Sequence, residues 1–271
     1  MPTFTNVKTN DIKEIENHGF SSVPIRSEHE IARFGNGAAT LIFFKTKKLL
    51  VQGTKEATEK AAELLKKLKI GEEEKNQHFK EETGTVIGSD EVLKGDTFGG
   101  MVVAGVKANE DQRKALIALG VADSKTLSDD EIRAIAPEIE KCADFEIKNL
   151  YPEEYNEFKG GITQLLNHLH RECYSYLKPG THIVDKFPGC IVGNIIETKA
   201  DSNYVEVAAA SILARAHALK QLDDLSKRAG FTIPKGSTHV KAALEKLKKL
   251  HLHPHNFVKL NFKNVKEALE K

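Results

Sequence analysis

Asp90 and Glu91 are neighbouring acids directly after a short apolar run, Thr85-Val86-Ile87, inside the segment Gly88-Ser89-Asp90-Glu91-Val92. Asp185 closes a second run of this kind, His182-Ile183-Val184, and Asp201 stands just before a long alanine-rich stretch. Carboxylates at strand ends and at a helix start can converge on one sheet edge, where their charges repel unless cations lie between them. Such hard oxygen ligands suit Mg²⁺ or Mn²⁺, ions that keep waters and share phosphate oxygens with a substrate. Two ions ~4 Å apart would activate water and stabilise a leaving oxygen, as phosphodiester hydrolysis requires. Acids at element ends also serve as caps and surface groups, and spacing alone leaves both readings open.

Other chemistries find less support. Gly95-Asp96-Thr97-Phe98-Gly99-Gly100 is glycine-rich, yet no G-x-x-x-x-G-K-[ST] occurs, and Ser124 precedes Lys125-Thr126 where that motif needs glycine. Pro254 interrupts the set His251, His253 and His255, which reads as surface histidines of a basic tail. Neither G-x-S-x-G nor H-E-x-x-H is present, so serine-hydrolase and zinc-protease chemistry lack their motifs. The three cysteines, Cys142, Cys173 and Cys190, have no C-x-x-C spacing, and their odd number argues against a disulfide framework or a zinc knuckle.

The elements that must carry the acids can be read along the chain. Ala39 to Phe44 and Leu49 to Gln52 are strand-like runs joined by Thr46-Lys47-Lys48. Ala57, Ala61, Leu64, Leu65 and Leu68 then recur at helical spacing up to Gly71, with lysines at 55, 60, 66, 67 and 69 on the same helix. Residues 71–83 are highly charged and almost without apolar side chains, which predicts a linker between a first domain at 1–70 and a second at 84–271. In the second domain Met101 to Val106 and Phe145 to Leu150 read as strands. Ser128-Asp129-Asp130-Glu131 reads as a capping box ahead of a helix toward Cys142, bent at Pro137. A helix from about Thr163 ends before Pro179-Gly180, and a long one runs from Val205 to Gly230. Lys241 to Leu250 and Val265 to Leu269 complete the helical stretches. Interleaved strands and helices predict an α/β class with a mixed sheet.

Composition bounds the rest. The 271 residues are 40% hydrophobic, enough for a sizeable core, with a net charge of +1. That near-neutrality hides a segregation: residues 1–75 carry +2, residues 76–214 carry −9 and residues 215–271 carry +8. An acidic middle beside a basic tail suits a metal site next to a polyanion track, although solvated helix faces produce the same arithmetic. The first twenty residues do not form a signal peptide, and no apolar run approaches a membrane span. The expectation is a cytoplasmic protein of a reducing compartment.

Several segments together resemble the type 2 ribonucleases H, most of all ribonuclease HIII. They are GSDEVLKGDTFGGMVVAG at 88–105, Asp123-Ser124-Lys125-Thr126-Leu127-Ser128, Ile183-Val184-Asp185 and Lys199-Ala200-Asp201. Val207 to Arg215 and Asn261-Phe262-Lys263-Asn264 follow in the family's order, and the first domain, with Leu49-Leu50-Val51-Gln52-Gly53, resembles the TATA-binding-protein-like α+β domain of ribonuclease HIII. The resemblance implies a ribonuclease H-like fold and hydrolysis of the RNA strand of RNA/DNA hybrids by a monomer. It further implies two Mg²⁺ or Mn²⁺ ions held by Asp90, Glu91, Asp185 and Asp201. The family's Gly-x-Gly loop, whose backbone reads the ribose 2′-OH, falls on Leu93, Lys94 and Gly95. Lys125 is the implied phosphate contact, with Ser124 a lesser one. Three positions depart from the pattern: Leu93, Gly100 where proline is usual, and Asp201 where ribonuclease HIII usually has glutamate. The alternative is ribonuclease HII-type cleavage at single ribonucleotides in duplex DNA. That enzyme places a tyrosine beyond the alanine-rich helix, whereas Tyr151, Tyr155, Tyr174, Tyr176 and Tyr204 all precede its end and His239 is the ring nearest the corresponding place.

Overall fold

The structure, a computed structural model, describes residues 2–8, 11–27, 30–74, 79–80 and 82–269. The chain divides into two compact units, residues 1–77 and 78–271.

The first unit holds strand β1 (Thr3–Thr5), helix α1 (Ile12–Glu16), strands β2 (Ser21–Ser22), β3 (Glu30–Gly35), β4 (Ala39–Phe44) and β5 (Leu49–Gly53), helix α2 (Lys55–Lys67) and strand β6 (Glu72–Glu74). The strands form one antiparallel sheet in the order β2-β3-β4-β5-β1-β6. Thr54 caps α2 by accepting the Ala57 N–H, and the helix lays Ala61 and Leu65 onto a core with Phe4, Leu41, Phe43 and Val51. The segment 71–83, expected to be a linker, starts instead as β6, paired through Glu72, Glu73 and Glu74 with β1. Its charge is compatible with that place because β6 is an edge strand, where charged side chains block pairing with other chains. Residues 75–78 and 81 of that segment lie outside the described residues.

The second unit follows the order β7 (Val86–Val92), β8 (Met101–Ala108), α3 (Glu110–Ala118), α4 (Asp129–Cys142), β9 (Asp144–Leu150), α5 (Pro152–Glu157), α6 (Ile162–Leu177), β10 (Thr181–Asp185), β11 (Ile195–Glu197), α7 (Ala200–Asn203), α8 (Val205–Ala229), α9 (Val240–Lys249) and α10 (Lys263–Leu269). Its mixed sheet runs β11-β10-β7-β8-β9, with β11, β10 and β7 parallel and β8 and β9 antiparallel. Helices cover both faces: α4 and α8 pack on Val102, Ala104 and Val106, while α6 packs on Met101 and Val103. The Ser128 capping box starts α4, which passes through Pro137 as one helix. One expectation needs correction. Asp90 and Glu91 do not follow a strand that ends at Ile87; they lie inside β7, which continues to Val92. The polar run Gly88 to Glu91 looks like a turn, yet full pairing with β8 extends the ladder through it. Among the described residues no helix is long and apolar enough to cross a membrane.

Candidate active site

Two parallel strands bring the first acids together. Thr181 to Val184 of β10 pair with Val86 to Ser89 of β7, so the next residues, Asp185 and Asp90, stand at the same carboxyl-terminal edge. Side chains alternate across a strand, which sends Asp90 and Glu91 to opposite faces. Asp90 is opposite Ala104 on the α8 face, and Glu91 is opposite Val103 on the α6 face. Asp201 enters from α7 and is fully buried. The Asp185 carboxylate also caps that helix, accepting the Ala200 N–H at 2.8 Å. Capping, one of the two readings the sequence left open, is thus observed for Asp185 without removing its carboxylate from the edge it shares with Asp90.

Burial and mutual charge act on these carboxyl groups together. Burial, the charge of Glu91 and the charge of Asp185 push the Asp90 carboxyl up to about 8, against a hydrogen bond from Ser211. Asp185 is also raised, by burial and then by the Asp201 and Glu91 charges, with the Ala200 N–H and Lys125 opposing. For Glu91 burial acts upward too, but His170 and Lys94 outweigh it and hold the carboxyl below its ordinary range. Lys94 pairs with Glu91, and Lys125 donates to Asp201 Oδ2 at 2.8 Å, which raises the lysine's own pKa. Among the described residues no group of three or more acid, histidine or cysteine side chains is already spaced as a metal cage. Two lysine ammoniums hold two of the carboxylates instead. The donor set still fits a hard divalent cation: it is all oxygen, and burial together with the neighbouring acids makes ionised Asp90 and Asp185 costly unless a cation lies beside them.

The surrounding loops are pinned from α8. Ser124 is buried, with its hydroxyl 2.9 Å from that of Ser211, and Arg215 bonds the Ser124 carbonyl and, at 2.8 Å, Asp129. This anchoring leaves Lys125 reaching outward, with 73% of its side chain exposed while it holds Asp201. Across the site Leu93 adopts a left-handed backbone (φ 67°), the conformation glycine takes at no cost. Its side chain is buried in the α8-side core, against Gly99. Gly95 has open space where a side chain would be, so its backbone can be approached closely. Gly100 has none: a Cβ would lie 2.1 Å from the Leu150 carbonyl oxygen, and its N–H donates to Gln221 at 2.8 Å. Proline there would lose that bond and clash.

Sequence reasoning singled out the four acids, Leu93, Lys94, Gly95, Ser124 and Lys125; the structure brings the acids and both lysines into one cluster, while the Leu93 and Ser124 side chains are buried beside it. It missed Ser89, His170 and His182 beneath Glu91, the Arg113–Glu206 pair (2.5 Å) and buried Lys259, which donates to the carbonyls of Asp96 and Gly99. No local pattern marks these residues, because each partner comes from a distant element.

A sequence model described as ribonuclease HII matches residues 87–265. Ribonuclease HIII of Bacillus cereus (strain ATCC 14579) is 38% identical over 216 residues, 69% of each chain. Ribonuclease HIII of Bacillus velezensis is 34% identical over 263 residues, 84% of each chain. The crystal structure of Bst-RNase HIII in complex with Mn²⁺ aligns over 100% of this chain and 98% of its own, with 26% identity and a TM-score of 0.64.

Proposed function

The chain belongs to the ribonuclease HII family and is a ribonuclease H, and we propose that it cleaves the RNA strand of RNA/DNA hybrids with Mg²⁺ or Mn²⁺ held by Asp90, Glu91, Asp185 and Asp201. The observation that carries this reading is the convergence of the four carboxylates from β7, β10 and α7 at one edge, two of them raised by burial and by the charges of their neighbours. A solved relative that holds Mn²⁺ supports the choice of ion. These four carboxylates would hold the ions, which when bound would supply charge stabilisation at a phosphate and a more acidic water.

The chain's own residues do the rest. Asp90 and Asp185 project from a rigid parallel ladder, so their spacing survives substrate binding. Lys125 neutralises Asp201 while its exposed ammonium faces solvent, where it can take a phosphate oxygen. Ser124 spends its hydroxyl on Ser211 and so serves by holding that loop. Leu93, Lys94 and Gly95 form the turn assigned to the ribose, with Gly95 as the point of close backbone approach; a 2′-OH read there separates RNA from DNA. The first unit, with its resemblance to a TATA-binding-protein-like domain, is assigned the grip on the hybrid backbone through the lysines of α2. The working species is taken as a cytoplasmic monomer.

The direct test is Asp185→Asn, which keeps the side chain's shape and removes one charge. Cleavage of an RNA/DNA hybrid, measured with Mg²⁺, Mn²⁺ or EDTA, is expected to fall by about a hundredfold or more while hybrid binding persists. Wild-type turnover by the variant would exclude Asp185 as a ligand.

A further inference from the structure

Behind Glu91, three polar residues from three elements meet in an otherwise apolar core. Ser89 of β7, His170 of α6 and His182 of β10 are all buried, with His170 fully so. The Ser89 hydroxyl oxygen is 2.8 Å from His170 Nδ1 and 2.8 Å from His182 Nε2. His170 Nε2 lies 3.4 Å from Glu91 Oε2; both atoms are buried, neither makes a hydrogen bond, and each is the polar atom the other faces. Each imidazole is also clamped by a ring: His170 stacks on Phe187 (5.2 Å between centroids) and His182 on Tyr174 (4.9 Å).

Hydrogen-bond bookkeeping makes this a directed chain. An ionised carboxylate only accepts, so Nε2 of His170 carries the proton that faces Glu91. Ser89 has a single hydroxyl proton, so it donates to one histidine and accepts from the other; the two rings are therefore coupled through it. In a core of Leu166, Leu169 and Val184 an unsatisfied polar group is costly; Ser89 satisfies one nitrogen of each ring, which leaves His170 Nε2 and Glu91 Oε2 facing each other with every reason to pair.

We propose that the His182–Ser89–His170 chain is a positioning device that holds the Glu91 carboxylate in the orientation it needs to ligate a divalent cation. This rests on the reading of Glu91 as a ligand. Glu91 needs such a device more than its neighbour, because strand alternation sends it to the α6 face, away from Asp90. Its two oxygens are held unequally. Lys94 is 40% exposed at its side chain and can yield one oxygen to a cation, while fully buried His170 keeps the other fixed. Groups behind metal ligands of this kind typically change affinity by about 10- to 100-fold when removed.

The test is calorimetric Mn²⁺ binding to the full chain, comparing wild type with His170→Phe, His170→Gln and Glu91→Gln. Phenylalanine keeps the packing on Phe187 and removes the donor; glutamine can return an N–H near the Nε2 position. His170→Phe is expected to weaken Mn²⁺ about 10- to 100-fold with melting in EDTA near that of wild type, and His170→Gln to recover most of the loss. Wild-type Mn²⁺ affinity in His170→Phe would overturn the proposal, provided Glu91→Gln does lose affinity. If Glu91→Gln also bound Mn²⁺ as wild type does, the ligand assignment itself would fall, and the proposal with it. Should His170→Phe not fold, the wild-type protein decides: Mg²⁺ titration should move the His170 ring nitrogen resonances and leave those of His217, paired with Glu140, in place. An unmoved His170 would overturn the proposal.

Discussion

Asp90 shows how one buried acid ties stability to pH. Its carboxyl is raised from 3.8 to about 8, chiefly by burial, with the Glu91 and Asp185 charges adding to it and Ser211 opposing. A raised pKa means that the native state holds a proton the unfolded chain has released. The stabilisation is therefore complete below about pH 4 and is lost as pH climbs to about 8, on the order of a few kcal/mol in all. Melting in EDTA should accordingly drop between pH 5.5 and pH 8, Asp90→Asn should flatten that drop, and Mn²⁺ should reverse it at pH 8. Equal pH dependence in wild type and Asp90→Asn would assign the effect to other groups. Leu93 illustrates a different balance at this scale. Its left-handed backbone costs on the order of 1 kcal/mol, which burial of the leucine side chain, about 2 kcal/mol, offsets. Substrate choice is also decided residue by residue. No tyrosine follows α8, and His239, at the start of α9, is exposed. Without a stacking contact of ~1–3 kcal/mol, cleavage within an RNA tract should exceed cleavage at one embedded ribonucleotide by roughly ten- to a hundredfold. Equal rates on the two duplexes would show that another group reads the junction.

At the scale of elements, the site depends on how closely β7 approaches α8. A Cβ on Gly88 would lie 2.3 Å from the backbone of Glu206 and Val207, so glycine on the strand and the small side chains Ala208, Ala209 and Ala210 on the helix allow one contact surface. The first turn of α8 is locked there by Glu206, which accepts from Arg113 while that guanidinium also holds the carbonyls of Glu82 and Gly84. Ser211 and Arg215, further along the same helix, reach Asp90 and the Ser124 loop. Overpacking at Gly88 should therefore shift both helix and site. Gly88→Ala is expected to destabilise the protein by about 3 kcal/mol and to lower cleavage in the fraction that folds. Urea unfolding measures the first effect, and a wild-type midpoint would mean that the helix can retreat without cost.

For the whole molecule, each of the two units has its own core, Phe4, Leu41 and Leu65 among others in the first and the α8 and α6 faces of the sheet in the second. Deleting residues 1–77 should leave a folded second unit that retains some cleavage. Its hybrid affinity should fall, and the dependence of that affinity on salt should flatten, since fewer lysine–phosphate contacts release fewer counterions. Binding over a range of salt concentrations checks this. Identical affinity and slope in the truncated chain would give the first unit some other task.

The sequence by itself determined the family, through segments in the order of one family, and the candidates for its chemistry: four hard acids at the margins of apolar runs with lysines beside them. It also announced the longer elements, since the spacing of Ala57 to Leu68 and the Ser128 capping box act within a few residues of themselves. Local signals could not foresee that β7 continues through Gly88 to Val92, because a polar strand becomes one only when β8 pairs with it. Nor could they show β6, where the charged Glu72 and Glu73 are tolerable because the strand lies at a sheet edge. The supports of the site were hidden for the same reason. Ser89 and His170, Arg113 and Glu206, and Gly100 and Gln221 are each separated by more than eighty residues. Their pairing follows from burial, which makes an unsatisfied polar group costly and so selects the partner that packing brings within reach. Only the tertiary structure decides which partner that is.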